Sequence, residues 1–534
     1  MTILLTQNLG KIRGRDSNKV TQFLGIKYAT LSDRLADAQL IETRDGEVLD
    51  ATKDGPTTLS PSFGCDLELS IVQHTLPKKP LPQSDVDCLN LNIATPSDTT
   101  TDARLPVFVF IHGGGLFIGA NSWPQFELER LVALSVSNGL PIVAVSINYR
   151  LGMFGFMTSE ELRNAGYKAN NGLRDQRVAL EWVRRHIGDF GGDPDNITLA
   201  GMSAGAASVA CHLESETPLF KRAILMSGNR FFSPSLPYEV HEQSYKKAMA
   251  ALGLADASPE ERIEALLQTP GEELIVKVPP SIAPTFAVDG DLVPSAITYS
   301  QLADRTNHIP KGKDWCQDLM IGDAQIDANI IHAIRSDLKN GCAERFFGCL
   351  TTVLATQPEV REQISVRYGV TQDLDDEDAF LAILEFLNDV WMFAPSLASA
   401  QGWKGRAFVY YFNEGNPWDG AWKGRAGHIL DLAYLFQNFR EFMSPAQQEV
   451  SSAIAEDFFK FCHGIQPWPP VVGGDLEGGF TARVYGPSPQ EPATQQVHRP
   501  FGGKSQRRST IFDLGDKVSL DDLSRIATLF TAGQ

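Results

Sequence analysis

Two glycine-rich patterns in this sequence have the residue types and spacing for acyl chemistry. Gly201-Met202-Ser203-Ala204-Gly205 has the form G-x-S-x-G and sits between an apolar run, Ile197 to Ala200, and a helix-compatible run, Ala206 to Leu213. A strand that turns sharply into a helix crowds the backbone at its middle residue, and glycines on both flanks remove the Cβ atoms that would clash. The Ser203 hydroxyl would then stand over a helix N-terminus, where developing negative charge is favoured. A tight turn with a bystander serine is the plainer alternative. Upstream, His112-Gly113-Gly114-Gly115 closes the apolar run Leu105 to Ile111. Its glycines expose backbone N–H groups of the kind a tetrahedral oxyanion needs, where losing one donor costs about 2.7–4 kcal/mol of barrier. Gly114 and Gly115, completed by the N–H of Ala204, are the candidate oxyanion hole. A phosphate loop would require a Lys-Ser/Thr ending, which this segment lacks. His112 reads as a structural hydrogen-bonding residue.

A serine hydroxyl is a weak nucleophile until a base takes its proton. His428 lies in a Gly-flanked loop after the apolar run Phe408 to Phe412, and His463, after the helical run Ile454 to Cys462, is the alternative. These groups need a rigid frame. Leu105 to Ile111, Pro141 to Ile147, Ile197 to Ala200, Arg222 to Met226, Leu319 to Ile321 and Phe408 to Phe412 are nearly continuous apolar runs, the mark of strands covered on both faces. Between them, Leu173 to Ile187 places Ala179, Trp182, Val183 and Ile187 on one helical stripe, with Arg184 and Arg185 off it. Alternating strands and helices imply an α/β fold with a mostly parallel central sheet flanked by helices. The expected organisation is one domain over 1–534, with helical and loop insertions near 234–310 and 341–401. The tail from Pro469 to about Arg508 is rich in Gly, Pro and Gln and reads as loop.

Composition narrows the function. The 534 residues carry 47 basic and 65 acidic side chains, a net charge of −18. That balance disfavours nucleic acid and anionic membrane as partners. No apolar run reaches the roughly 18–20 residues of a membrane span, and Ile3 to Leu5 is too short for a signal peptide. The expected compartment is cytoplasmic. Nothing in the residue pattern implies a metal or an organic cofactor, and oligomeric state is not encoded legibly.

Longer segments carry a resemblance. FLGIKYA (Phe23 to Ala29), DCLNLNI (Asp87 to Ile93), FVFIHGGG (Phe108 to Gly115), SINYRLGMFGF (Ser146 to Phe156), FGGDPDNITLAGMSAGA (Phe190 to Ala206) and AGHILDLAYLF (Ala426 to Phe436) follow one another in family order. The chain resembles the type-B carboxylesterase/lipase family, the carboxylesterase and cholinesterase-like group of the α/β-hydrolase fold. The resemblance implies a Ser-acid-His triad and puts His428 at the family's histidine. The family's acid is usually a glutamate in a segment like G-x-x-x-x-E-G. Here Gly322 to Ala328 places Asp327 at that position, one methylene shorter, with Asp323 as the alternative. It also implies a disulfide between Cys65 and Cys88, which a reducing cytosol would disfavour, and a buried ion pair between Arg150 and Asp175.

The departures bear on substrate. Cholinesterases carry an acidic residue where this chain has Met202, and an aromatic cation site in the loop that here runs from Cys65 to Cys88 without Trp, Tyr or Phe. A quaternary ammonium would find little to hold it. The expected activity is hydrolysis of neutral, partly apolar carboxylic esters through an acyl-enzyme. An acyltransferase or lactone-processing tailoring enzyme of secondary metabolism would use the same intermediate. A catalytically silent binding module is the remote alternative. Trp391, Phe393, Trp418 and Trp422 are either gorge lining or ordinary core.

Overall fold

The computed structural model describes every residue except 45, 279–281, 283–284, 472–478, 489–492, 498–505, 516 and 534. Its frame is an eleven-stranded sheet. In chain order the strands are β1 (Arg15–Ser17), β2 (Val20–Lys27), β3 (Asn90–Pro96), β4 (Leu105–Ile111), β5 (Val143–Ile147), β6 (Gly192–Met202), β7 (Arg222–Met226), β8 (Asp318–Ala324), β9 (Arg406–Phe412), β10 (Phe480–Tyr485) and β11 (Ala493–Val497). Across the sheet the order is β11-β10-β9-β8-β7-β6-β4-β5-β3-β2-β1. All neighbours from β10 to β5 are parallel. The outer strands at both ends pair antiparallel. This is the α/β-hydrolase arrangement the sequence implies.

The inner strands are largely apolar because helices cover both faces. Every residue of β5 and β7 is buried, as is β4 beyond Leu105. The helix Asn171–His186 buries Ala179, Trp182 and Val183 against the sheet and exposes Arg184 and Arg185. The same helix carries Asp175, which binds Arg150 from two sides: Nε to Oδ2 at 2.8 Å and Nη2 to Oδ1 at 2.7 Å. Both side chains are fully buried, and Arg150 Nη1 also donates to the carbonyls of Arg34 and Ala36. Removing one partner leaves the other as an uncompensated buried charge. Asp175→Asn should therefore cost about 3–5 kcal/mol in a denaturant-unfolding experiment. A loss under 1 kcal/mol would mean that the Arg34 and Ala36 carbonyls suffice for the guanidinium.

The 234–310 stretch contains the helices Tyr238–Ala251, Pro259–Gln268 and Gly271–Lys277. The 341–401 stretch is also helical, from Cys342–Val353 onward. Two expectations are corrected. The tail is not all loop: β10 continues the parallel sheet on β9, and β11 closes against β10. Short strands set among Gly and Pro give little periodic signal, and pairing supplies what the local pattern lacks. In addition, Asp376–Gly402 is long and apolar enough to cross a membrane, but 83% of its apolar window is buried within the fold. Its apolar surface belongs to the protein core.

Candidate active site

The groups singled out from the sequence gather at the carboxyl ends of the central parallel strands, where open α/β sheets place their ligands. Ser203 follows β6, the glycine loop follows β4, Asp327 follows β8 and His428 follows β9. Ser203 has φ 57° and ψ −125°. A non-glycine residue there carries roughly 1–3 kcal/mol of backbone strain, which the surroundings must over-determine. They do. The Ser203 N–H donates to the Met226 carbonyl at 2.9 Å, and the helix Ala204–His212 starts at the next residue. A Cβ on Gly201 would come within 2.3 Å of the Gly205 carbonyl oxygen, and one on Gly205 within 2.1 Å of the Ile111 oxygen. The flanking glycines are therefore steric requirements of the turn.

The glycine loop turns back on itself through the Gly114 carbonyl, which accepts from Phe117 and Ile118 N–H at 3.0 Å. Gly114 and Gly115 have φ of +95° and +61°. The N–H groups of Gly114, Gly115 and Ala204 make no hydrogen bond among the described residues. His112 is buried with its ring stacked on Tyr149, centroids 4.6 Å apart. Burial lowers its pKa to about 4, so it is neutral at pH 7. Its role is to support the loop.

Asp327 and His428 meet, with Oδ1 3.0 Å from Nδ1 and both side chains buried. The carboxylate's second oxygen, Oδ2, accepts from the Ala324 N–H at 2.7 Å. The backbone N–H of His428 is held by Asn329 Oδ1 at 2.8 Å, and Ile429 takes the left-handed conformation that ends the loop. His428 Nε2 is buried and has no hydrogen-bond partner among the described residues. No hydrogen bond joins it to Ser203, a contact that often tightens only with substrate in place. The alternatives go elsewhere: His463 lies against the Pro141 carbonyl, and Asp323 is paired with Arg508.

Sequence reasoning missed the shell behind the acid. Asp431 is fully buried, accepting from the Tyr410 hydroxyl at 2.9 Å and from its neighbour's N–H, that of Leu432. Burial first, and then the charge of Asp327, push Asp431 up to about 6. Asn329 and Tyr410 gave no signal of their own, because an amide or phenol acquires this role only from its neighbours in space.

The profile of the Carboxylesterase family matches residues 2–471. The chain belongs to this family. It is 29% identical over 470 residues to Lipase 3 of Yarrowia lipolytica, covering 84% of this chain and 86% of that protein. It is 27% identical over 525 residues to the para-nitrobenzyl esterase of Bacillus subtilis, covering 96% of this chain and 94% of that one. A solved para-nitrobenzyl esterase structure superposes with a TM-score of 0.74 over 95% of this chain and 99% of the other, at 24% identity. The enzyme is thus a carboxylesterase-type hydrolase whose substrate is a small-molecule ester.

Its departures from expectation are local. Cys65 and Cys88, whose pairing the sequence left open, are free thiols in the structure. Cys65 Sγ faces Gln125 Oε1 at 3.9 Å, Cys88 is fully buried, and burial pushes both thiols up to about 12. Met202 is fully buried, packed under Gly113. The aromatic set does not form one wall. Trp418 packs on His74 and Phe439, Trp422 on His332 and Phe393 on Tyr411. Trp391 approaches His428 through Phe232, whose ring lies 5.9 Å from that of His428.

One helix beside the glycine loop carries a buried acid. Gly64–Val72 packs on Ile118 and Trp123, and places Glu68 next to Gln125, whose amide donates to it at 2.9 Å. Its other oxygen has no partner among the described residues, and burial pushes the carboxyl from 4.5 up to about 8. The folded chain keeps this proton after the unfolded chain has lost it. Stability from this group is therefore present below pH 4.5, falls as pH rises toward about 8 and is level above. Glu68→Gln should match wild type in unfolding midpoint near pH 4.5 and exceed it at pH 8, by on the order of a few kcal/mol. A difference that does not change with pH would mean that Glu68 is ionised in the fold.

Proposed function

We propose that Ser203, Asp327 and His428 are the catalytic triad of an esterase acting on neutral, partly apolar carboxylic esters. The observation that carries this reading is the Asp327–His428 contact at 3.0 Å, which leaves Nε2 of the imidazole open, together with a serine held on a strained strand–helix elbow. Ser203 Oγ attacks the ester carbonyl as His428 Nε2 takes its proton. Asp327 holds the proton on Nδ1 and stabilises the imidazolium without taking the proton itself. The N–H groups of Gly114, Gly115 and Ala204 receive the oxyanion. The intermediate collapses, His428 returns the proton to the departing alcohol, and Ser203 is left acylated. Water, deprotonated by His428, then attacks the acyl carbonyl, and His428 returns that proton to Ser203 Oγ as its bond to the acyl carbon breaks and the carboxylic acid leaves. Residues 1–534 serve as one catalytic domain.

The substrate class rests on what surrounds the serine. Met202 puts no charge beside it. Relatives named as a lipase and as a para-nitrobenzyl esterase suit an uncharged ester. The test is hydrolysis of p-nitrophenyl esters from C2 to C12, with a fluorophosphonate to label the nucleophile. Turnover of the series and labelling at Ser203 are expected. Labelling without turnover of any ester would overturn hydrolysis of this class and point to an acyl acceptor other than water. No labelling would overturn the triad.

A further inference from the structure

We propose that Arg508 is a positioning residue for this reaction: it clamps Asp323 and the Ala324 carbonyl, and so fixes the strand end from which Asp327 is held against His428. The inference rests on Asp327 being the triad acid. Arg508 lies in the helix Gln506–Gly515, beyond the stretch that matches the family profile. Its Nη2 reaches Asp323 Oδ2 at 2.5 Å and the Ala324 carbonyl at 3.2 Å, and its Nη1 reaches Asp323 Oδ1 at 3.3 Å. The guanidinium stacks over Phe393 and Tyr411, 4.7 and 5.1 Å from the ring centroids.

The contact is one peptide unit from the chemistry. The Ala324 N–H donates to Asp327 Oδ2, while the Ala324 carbonyl accepts from Arg508. A shift of this strand end therefore moves the carboxylate that orients His428. Asp323 is fully buried, with Asp327 and Asp389 as acidic neighbours, and burial pushes its pKa up to about 7 even with Arg508 present. Take the guanidinium away and a buried carboxylate is left among other carboxylates with its counter-charge gone. The strand end must relax to rehydrate or reprotonate it. Displacements of about 1 Å in catalytic geometry can cost on the order of a hundredfold in rate.

The test compares wild type, Arg508→Gln, Arg508→Lys and the double variant Asp323→Asn/Arg508→Gln on one p-nitrophenyl ester. Rates are taken per active site, counted by end-point fluorophosphonate titration, after thermal unfolding shows which variants are folded. Arg508→Gln should lower kcat about ten- to a hundredfold with KM within a factor of about three. Arg508→Lys should fall between it and wild type, and the double variant should recover most of the loss because a neutral amide needs no cation. If Arg508→Gln does not fold, Arg508→Lys and the double variant decide on the same criteria. A kcat within twofold of wild type in folded Arg508→Gln overturns the proposal and leaves Arg508 a structural residue. So does a double variant no faster than Arg508→Gln or, when that variant is unfolded, no faster than Arg508→Lys. Failure of the triad itself would appear separately, as a wild type that neither turns over nor labels.

Discussion

Ser203→Ala should leave ester turnover about a millionfold below wild type, as measured by kcat on the best p-nitrophenyl ester. The change removes one oxygen. The backbone strain at φ 57° stays, the helix Ala204–His212 still begins at the next residue, and the Ala204 N–H keeps its place. The folded structure and KM should therefore change little, and the residual rate should be the roughly 10³–10⁴-fold over water that an oxyanion hole and binding supply alone. Because the residues of the proposed triad would act as a unit, adding His428→Ala should cost almost nothing further. A single variant retaining a tenth of wild-type kcat would mean that the nucleophile lies elsewhere.

Asp327→Asn should lower kcat by about 10⁴, for a reason specific to this turn. Oδ2 of Asp327 accepts the Ala324 N–H at 2.7 Å. An asparagine must keep its carbonyl oxygen there, since its amide would meet the N–H donor to donor. Its NH₂ then faces Nδ1 of His428 and forces that nitrogen to accept. The proton moves to Nε2, where it blocks uptake of the serine proton. Binding and folding should be nearly untouched, so the loss should sit in kcat with KM nearly constant. Asp327→Glu keeps the charge but must place a longer acid under the same backbone donor, and should lose less than Asn. If Asn and Glu lose equally, the defect is positional and the tautomer argument falls.

Much of the site was legible before any fold was known. G-x-S-x-G and H-G-G-G are local: their chemistry depends on the backbone of a few consecutive residues, and the steric requirement at Gly201 and Gly205 can be argued from the motif alone. The inner strands were legible because burial on both faces leaves a continuous apolar run, as in Leu105–Ile111. The strands β10 and β11 were not, because a short strand at the sheet's margin is held by its neighbour rather than by its own pattern. Whether Cys65 and Cys88 pair was left open by the sequence, because a disulfide needs specific geometry as well as position; in the structure both are free thiols.

By itself, then, the sequence determined the turn that holds Ser203, the glycine-rich loop with its open N–H groups, the apolar frame and the candidate histidine. These rest on short-range sterics and on burial periodicity, which adjacent residues encode. Tertiary structure alone decided the rest. Asp327 and not Asp323 meets His428, His463 caps a distant carbonyl, Asp431 and Asn329 line the back of the site, and Arg508 reaches Asp323 across 185 residues of chain. Charge pairing and hydrogen bonding between distant segments depend on where parallel strands end in space, and that is set by sheet order rather than by order along the chain.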